Sequence, residues 1–295
     1  MFFKIFFLNL FWLFALTQVV SAAPSVIVST APIHSVIASV MDGVGKPELL
    51  LAPAISVHDF YLKPSDMRRL AEADIVFWGG KELETALIKA LRATDKTDRS
   101  VALLEDPRLT VYPVRESDHH DEKDGHFWLM PENMIAVAEI AAEKLSAADA
   151  ENAAVYRENA ERLKKKIVTL ENKGMKMLEP YRHRPYVVFH DAYQYFEKSF
   201  GISSLGALFI DPHHAAGAAR ISDVREKIKG KRTVCLFSEP QFSDKRIKAA
   251  AEGLSVVFGE LDPSGSALAP GQNFYFELME GLFRSFFECL TRLPE

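Results

Sequence analysis

Four residues with metal-ligating chemistry stand at roughly even intervals along the chain: His58 in VHDFYLKPSD, His126 in HFWLMPEN, His190 in VVFHDAYQYF and Asp262 in GELDPSG. None belongs to a compact local metal motif. Each falls where a strand-like apolar run gives way to the next helical pattern. A lone histidine in such a place is ordinarily a surface or capping residue, so the joint placement carries the metal reading. Three imidazoles suit zinc, a borderline-soft cation that takes N, S and O ligands at low coordination number. Asp262 would supply charge and close the shell. Manganese would favour more carboxylate and water, and copper or nickel would compete with zinc on affinity alone.

Residues so far apart can meet only if the fold gathers strand ends. In the first half, strand signals at 25–29, 48–51, 74–78 and 101–104 alternate with helix signals at 33–41, 64–73, 82–91 and 131–145. In the second half, strands at 186–189, 202–205, 233–237 and 255–258 alternate with helices at 192–200, 216–229, 244–252 and 274–290. Such alternation predicts an α/β fold with parallel sheets under helical covers, here as two four-stranded lobes. From 147 to 179 there is no proline, and Tyr156, Ala160, Leu163, Ile167, Leu170, Gly174 and Met177 recur at steps of four and three. This predicts one continuous amphipathic helix of roughly 50 Å, with Ser146 and Asp149 as a capping box and Pro180 as the stop. A helical connector limits hinge motion between lobes. In open α/β sheets, ligands bind outside the carboxyl ends of the strands. All four candidates fall on that edge, two from each lobe, which puts the metal site in the cleft between lobes.

The expected divisions are a signal peptide over 1–22, a first lobe over 23–146, the connecting helix over 147–179 and a second lobe over 180–295. The leader, MFFKIFFLNLFWLFALTQVVSAA, has one lysine, an apolar stretch and small residues at its end, as in a cleavable secretory signal. Such a leader predicts export of the mature chain. Cys235 and Cys289 make an even cysteine count; in an exported chain this points to a disulfide, two free buried thiols being the alternative. A formal charge of −5 without a basic cluster argues against nucleic acid. Three histidines with an open fourth position also describe catalytic zinc. The sequence, however, has neither H-E-x-x-H nor a serine nucleophile elbow, which disfavours a zinc hydrolase.

The stretches HDFYLKPSDMRRLAEADIVFWGG, HFWLMPENM, FHDAYQYFEKSFGI, SEPQF and GELDPSG together resemble the periplasmic zinc-binding proteins of bacterial zinc-uptake ABC transporters. The resemblance runs from about Ser25 to Leu290. It implies two lobes joined by a long helix, with His58, His126 and His190 as metal ligands; Asp262 matches the aspartate that some members use as a fourth, where others use water or a glutamate. Histidine at the third position implies zinc, where manganese-type members often carry glutamate. Some members place a glutamate just before the first ligand; Val57 stands there in this chain, which raises the stake on Asp262. The resemblance also implies the Cys235–Cys289 disulfide. It implies a monomeric receptor, placed by export in the periplasm, that delivers Zn²⁺ to an inner-membrane ABC permease and its ATPase. A manganese receptor and an adhesin on the same fold are the related alternatives. Binding must displace protons from protonated imidazoles, so affinity is expected to fall below about pH 6.

Other chemistry-bearing residues take secondary roles. The segment SDHHDEKDG carries His119 and His120 among acids, a candidate weaker metal site or simply a solvated loop. His213 and His214 in DPHHAAGA depart from the family pattern and lie on the expected metal-bearing edge. His34 is expected at a helix start and His183 at the surface. Glu239 and Asp191 are candidate acceptors for an imidazole N–H, which would fix ligand tautomer and orientation.

Overall fold

The strands are short and almost wholly apolar, as parallel strands must be when helices cover both faces of a sheet. In this computed structural model, residues 23–55, 60–115, 122–209 and 218–294 are described. The first sheet contains β1 (Val26–Val28), β2 (Glu48–Leu49), β3 (Ile75–Trp78) and β4 (Ser100–Ala102) in the order β2-β1-β3-β4. The second contains β5 (Tyr186–His190), β6 (Ala207–Phe209), β7 (Val234–Ser238) and β8 (Val256–Glu260) in the order β6-β5-β7-β8. Every pairing is parallel, with Val28 opposite Phe77 in one sheet and Tyr186 opposite Cys235 in the other. The two-sheet α/β architecture expected from the alternation is therefore present. Each sheet reverses its strand order once, beside β1 and beside β5, and crevices form where the order reverses.

The helices are α1 (Ala31–Val40), α2 (Pro64–Glu72), α3 (Thr85–Ala93), α4 (Pro131–Ala148), α5 (Ala153–Leu178), α6 (Gln194–Phe200), α7 (Ala218–Lys229), α8 (Asp244–Ala251) and α9 (Phe274–Leu290). Most boundaries agree with the sequence reading to within one or two residues, the ordinary scatter of helix and strand ends. Three differences have physical causes. The strand expected at 202–205 lies later, at Ala207–Phe209. Ser204 N–H is drawn to the Glu197 carboxylate instead, and Gly206, at φ 144°, re-aims the chain into the sheet. Helix α3 starts at Thr85 and not at Glu82, because the Glu84 carboxylate turns back to accept the Gly79 and Gly80 N–H groups. The connector is not one helix from 147. Helix α4 ends at Ala148, a short 3-10 turn covers Ala150–Asn152, and α5 follows. Asp149 is the cap: its carboxylate accepts from the Asn152 backbone, the Asn152 side chain and the Tyr156 hydroxyl. Ser146 instead donates to the Ala153 carbonyl.

Helix α5 buries the stripe seen in the sequence: Tyr156, Ala160, Leu163, Ile167, Leu170 and Gly174 are all buried. It packs on α4, α1 and α9, and that helical layer fuses the inner faces of both sheets into one apolar core. The outer face of each sheet has a smaller core of its own, around Val76, Leu70 and Leu87 in one lobe and around Val187, Leu236 and Ile247 in the other. A disulfide between Cys235 and Cys289, Cα atoms 6.0 Å apart, ties β7 to α9. Among the described residues no helix is long and apolar enough to cross a membrane. The segment 1–22, His58, the pair His119 and His120, and the pair His213 and His214 lie outside the described residues.

Candidate metal centre

His190 is the last residue of β5 and is buried. The strand fixes its backbone, and Phe242 and Tyr193 flank its ring. Its Nδ1 lies 2.6 Å from Glu239 Oε1. Glu239 immediately follows β7, the neighbouring strand, and is itself buried. The Tyr193 hydroxyl donates to the same oxygen. Burial pushes the His190 pKa down, but the charge and hydrogen bond of Glu239 outweigh it and leave the imidazole above its ordinary value. Tyr193 is held well above the usual phenol range by burial, reinforced by the charges of Glu239 and Asp262.

His126 comes from the other lobe. It precedes the 3-10 turn Phe127–Leu129, whose side chains are buried in the shared core. Asp124 Oδ1 accepts from both the backbone N–H and Nδ1 of His126, at 3.0 and 2.8 Å. Asp124 Oδ2 accepts from Gln194 Nε2. Burial pushes the Asp124 carboxyl up, yet the hydrogen bonds from His126 and Gln194 hold it below the usual carboxylate range. Gly125 makes this turn possible, since a Cβ there would fall 2.8 Å from Leu83.

The two imidazoles meet edge to edge, Nε2 to Nε2, at 3.4 Å. In the neutral form of each ring, with Nδ1–H given to its carboxylate, Nε2 is the nitrogen that bears a lone pair. Zn–N bonds of about 2.05 Å in a tetrahedral shell would put two nitrogens about 3.3 Å apart. The observed separation fits one cation held between them. Among the described residues no three His, Cys, Asp or Glu side chains gather into a metal-binding group.

Asp262 follows β8 and caps the turn after it. Its Oδ1 accepts from Gln241, from the Ser264 backbone and hydroxyl, and from Gly265 N–H. Its Oδ2 accepts from the Ser266 backbone and hydroxyl. The next residue, Pro263, accepts the indole N–H of Trp128 across the cleft at 2.8 Å. His34 lies in the first turns of α1, where Nε2 meets the Pro47 carbonyl and burial lowers its pKa; this is a neutral structural histidine. His183 is exposed.

Of the two expected second acceptors, Glu239 orients His190, but Asp191 does not serve an imidazole. Its carboxylate is paired with Arg115. The acceptor on His126 is Asp124, which the sequence shows only as one acid in a charged run. The available signal was D-G-H, an aspartate two residues before the histidine with glycine between. Gln194 and Arg115 carried no such signal, because their roles depend on contacts between lobes.

This arrangement of two parallel-sheet lobes and a long bridging helix is shared with a known class of two-lobed proteins. The periplasmic zinc-binding protein TroA from Treponema pallidum superposes with a TM-score of 0.78 at 20% identity, covering 90% of this chain and 99% of that one. Sequence relatives are nearer. The high-affinity zinc uptake system protein ZnuA of Brucella suis is 35% identical over 306 residues, 90% of this chain and 92% of that protein. The protein of the same name from Haemophilus ducreyi is 32% identical over 92% of this chain and 94% of its own length. The family described as ZnuA, zinc-uptake complex component A, periplasmic, matches residues 26–289, and the chain belongs to it.

Proposed function

We propose that this chain is a periplasmic receptor that captures Zn²⁺ and delivers it to an inner-membrane ABC permease and its ATPase. The observation that carries the reading is the facing pair of Nε2 atoms, 3.4 Å apart, each imidazole backed by a buried carboxylate. Family membership supports it, and so do the names of the relatives. In this reading His126 and His190 are two ligands, and His58 supplies the third. Asp262 supplies the fourth, its hydrogen bonds to Gln241, Ser264, Gly265 and Ser266 holding the carboxylate in one orientation. The ion is cargo, so the centre need only hold and release it. Nitrogen-rich coordination with a single carboxylate favours zinc over manganese. The proposed chain acts as a monomer after removal of residues 1–22, with lobes at 23–146 and 180–295. As a family of transport components, its relatives also favour cargo binding over catalysis.

The test is metal content and zinc titration of the mature protein beside His58→Ala, His190→Ala and Asp262→Asn. One tight zinc per chain is expected, with affinity reduced by roughly 100-fold or more in the histidine variants and at least about tenfold in Asp262→Asn. Undiminished binding in His190→Ala would remove the cleft as the site. Preferential retention of manganese would overturn the choice of metal.

A further inference from the structure

We propose that Arg115 is a positioning residue for the histidine pair, locking the segment that carries His126 to the segment that carries His190. This rests on the zinc-receptor reading above. Arg115 stands at a neck formed by residues 112–115 and 122–124, just before His126. The two stretches run antiparallel there, with a bridge between Pro113 and Lys123. Val114 N–H donates to Glu122 and Asp124 N–H to Tyr112, both at 2.8 Å. The neck belongs to the first lobe in sequence, yet among the described residues Arg115 pairs with acids, Asp191 and Glu197, that both belong to the second. Its Nε and Nη2 form a fork on Asp191, the residue directly after His190, and its Nη1 donates to Glu197 at 2.6 Å. Glu197 is fixed in turn by the Tyr186 hydroxyl and Ser204 N–H. Gln194 runs parallel to this clasp, donating to the Pro113 carbonyl and to Asp124.

Asp191 and Glu197 are nearly buried, whereas Arg115 is about one-third exposed. Two carboxylates this close to burial repel each other unless a cation lies between them, and removing that cation leaves uncompensated charge. Only a planar guanidinium satisfies both at once; a lysine ammonium has the charge without the fork. A cavity of about 220 Å³ beside His126 is lined by Glu82, Arg115, Glu122, Asp124 and Asp191. In that wall Arg115 neutralises Asp191, so the carboxylate next to His190 does not compete with the imidazoles for the ion. The clasp thus sets the distance between the two ligand-bearing segments without touching the metal.

The test compares Arg115→Gln and Arg115→Lys in the mature chain with Lys173→Gln, which breaks the distant Lys173–Glu280 pair between α5 and α9. Zinc association, zinc dissociation into excess chelator and urea stability are measured. Amide exchange is followed in the metal-free protein over 122–126 and 190–197. In both Arg115 variants dissociation is expected to accelerate by roughly tenfold or more, with association nearly unchanged. Exchange rises in both segments before any metal is added, and lysine does not rescue. Should Arg115→Gln fail to fold, Arg115→Lys alone carries the same expectation. Dissociation within twofold of the parent overturns the proposal, as does faster exchange on the first-lobe side only, or an effect matched by Lys173→Gln. Parent protein that binds no zinc sinks the receptor reading and the positioning role together. Parent protein that binds zinc, with unaltered Arg115 variants, sinks the positioning role alone.

Discussion

An imidazole ligates zinc through one deprotonated, well-aimed nitrogen, and the partner of its other nitrogen decides which one that is. In the proposed receptor, Asp124 and Glu239 make that decision for His126 and His190. Replacing either with its amide, Asp124→Asn or Glu239→Gln, is expected to weaken zinc binding by about 10–100-fold while leaving the stoichiometry at one. Competitive titration against a chelating dye reads this directly, and an unchanged affinity in both would show that the carboxylates do not orient the rings. A different buried acid predicts a pH dependence of folding. Burial pushes Glu84 up to about 7, against the opposing Gly79 and Gly80 N–H groups. Its ordinary value is 4.5, so between these pH values the unfolded chain has lost a proton that the folded chain keeps. The stability this group contributes is complete below pH 4.5 and is lost as pH rises to about 7, a decline of about 3 kcal/mol. Glu84→Gln stays neutral throughout. Denaturant unfolding from pH 4.5 to 8 should show a flatter profile in the variant than in the parent, and parallel profiles would contradict the assignment.

At the scale of the elements, α5 is held by one face, and its glycine is part of the fit. A Cβ at Gly174 would run into the ring of Phe283 on α9 and come 2.8 Å from Phe200 on α6. Alanine would improve helix propensity by about 1 kcal/mol, but overpacking two aromatic rings costs about 1–3 kcal/mol. With both rings buried in a dense aromatic cluster, the packing cost wins. Gly174→Ala is therefore expected to be less stable by up to about 2 kcal/mol in urea unfolding, and a more stable variant would mean that α9 can shift away. Asn159 occupies the same stripe and caps α1, donating to the carbonyls of Val40 and Asp42. Such a polar residue is invisible to a hydrophobic period, yet it ties the connector to the first lobe.

On the scale of the whole molecule, one core spans both lobes through α1, α4, α5 and α9. The disulfide closes a segment of 54 residues within the second lobe. Its removal in a Cys235→Ala, Cys289→Ala double variant is expected to destabilise the protein by about 2–5 kcal/mol. Because β7 also carries Glu239 to the site, the two effects can be separated by titration: zinc stoichiometry is expected to stay at one while the unfolding midpoint falls. Loss of zinc binding in a variant that remains folded would show that the cross-link also shapes the centre.

The sequence by itself determined the parts whose signals are local. Apolar runs and helix periods placed seven of the eight described strands and the amphipathic face of α5, because burial of a strand or helix face writes a period into the chain. The residue types His126 and His190, one at the head and the other at the end of an apolar run, pointed to metal, and the two cysteines in a chain with a leader-like N-terminus pointed to a cross-link. Only the tertiary structure decided how these meet. Nothing local says that Asp191 turns away to Arg115 while Glu239 turns in to His190, since both acids simply follow strands. Nor could the charged run distinguish Asp124 from its neighbours, because its role arises only when Gly125 lets the chain fold back and Gln194 arrives from the other lobe. Hydrogen bonds between residues distant in sequence leave no period behind, and the centre is built from them.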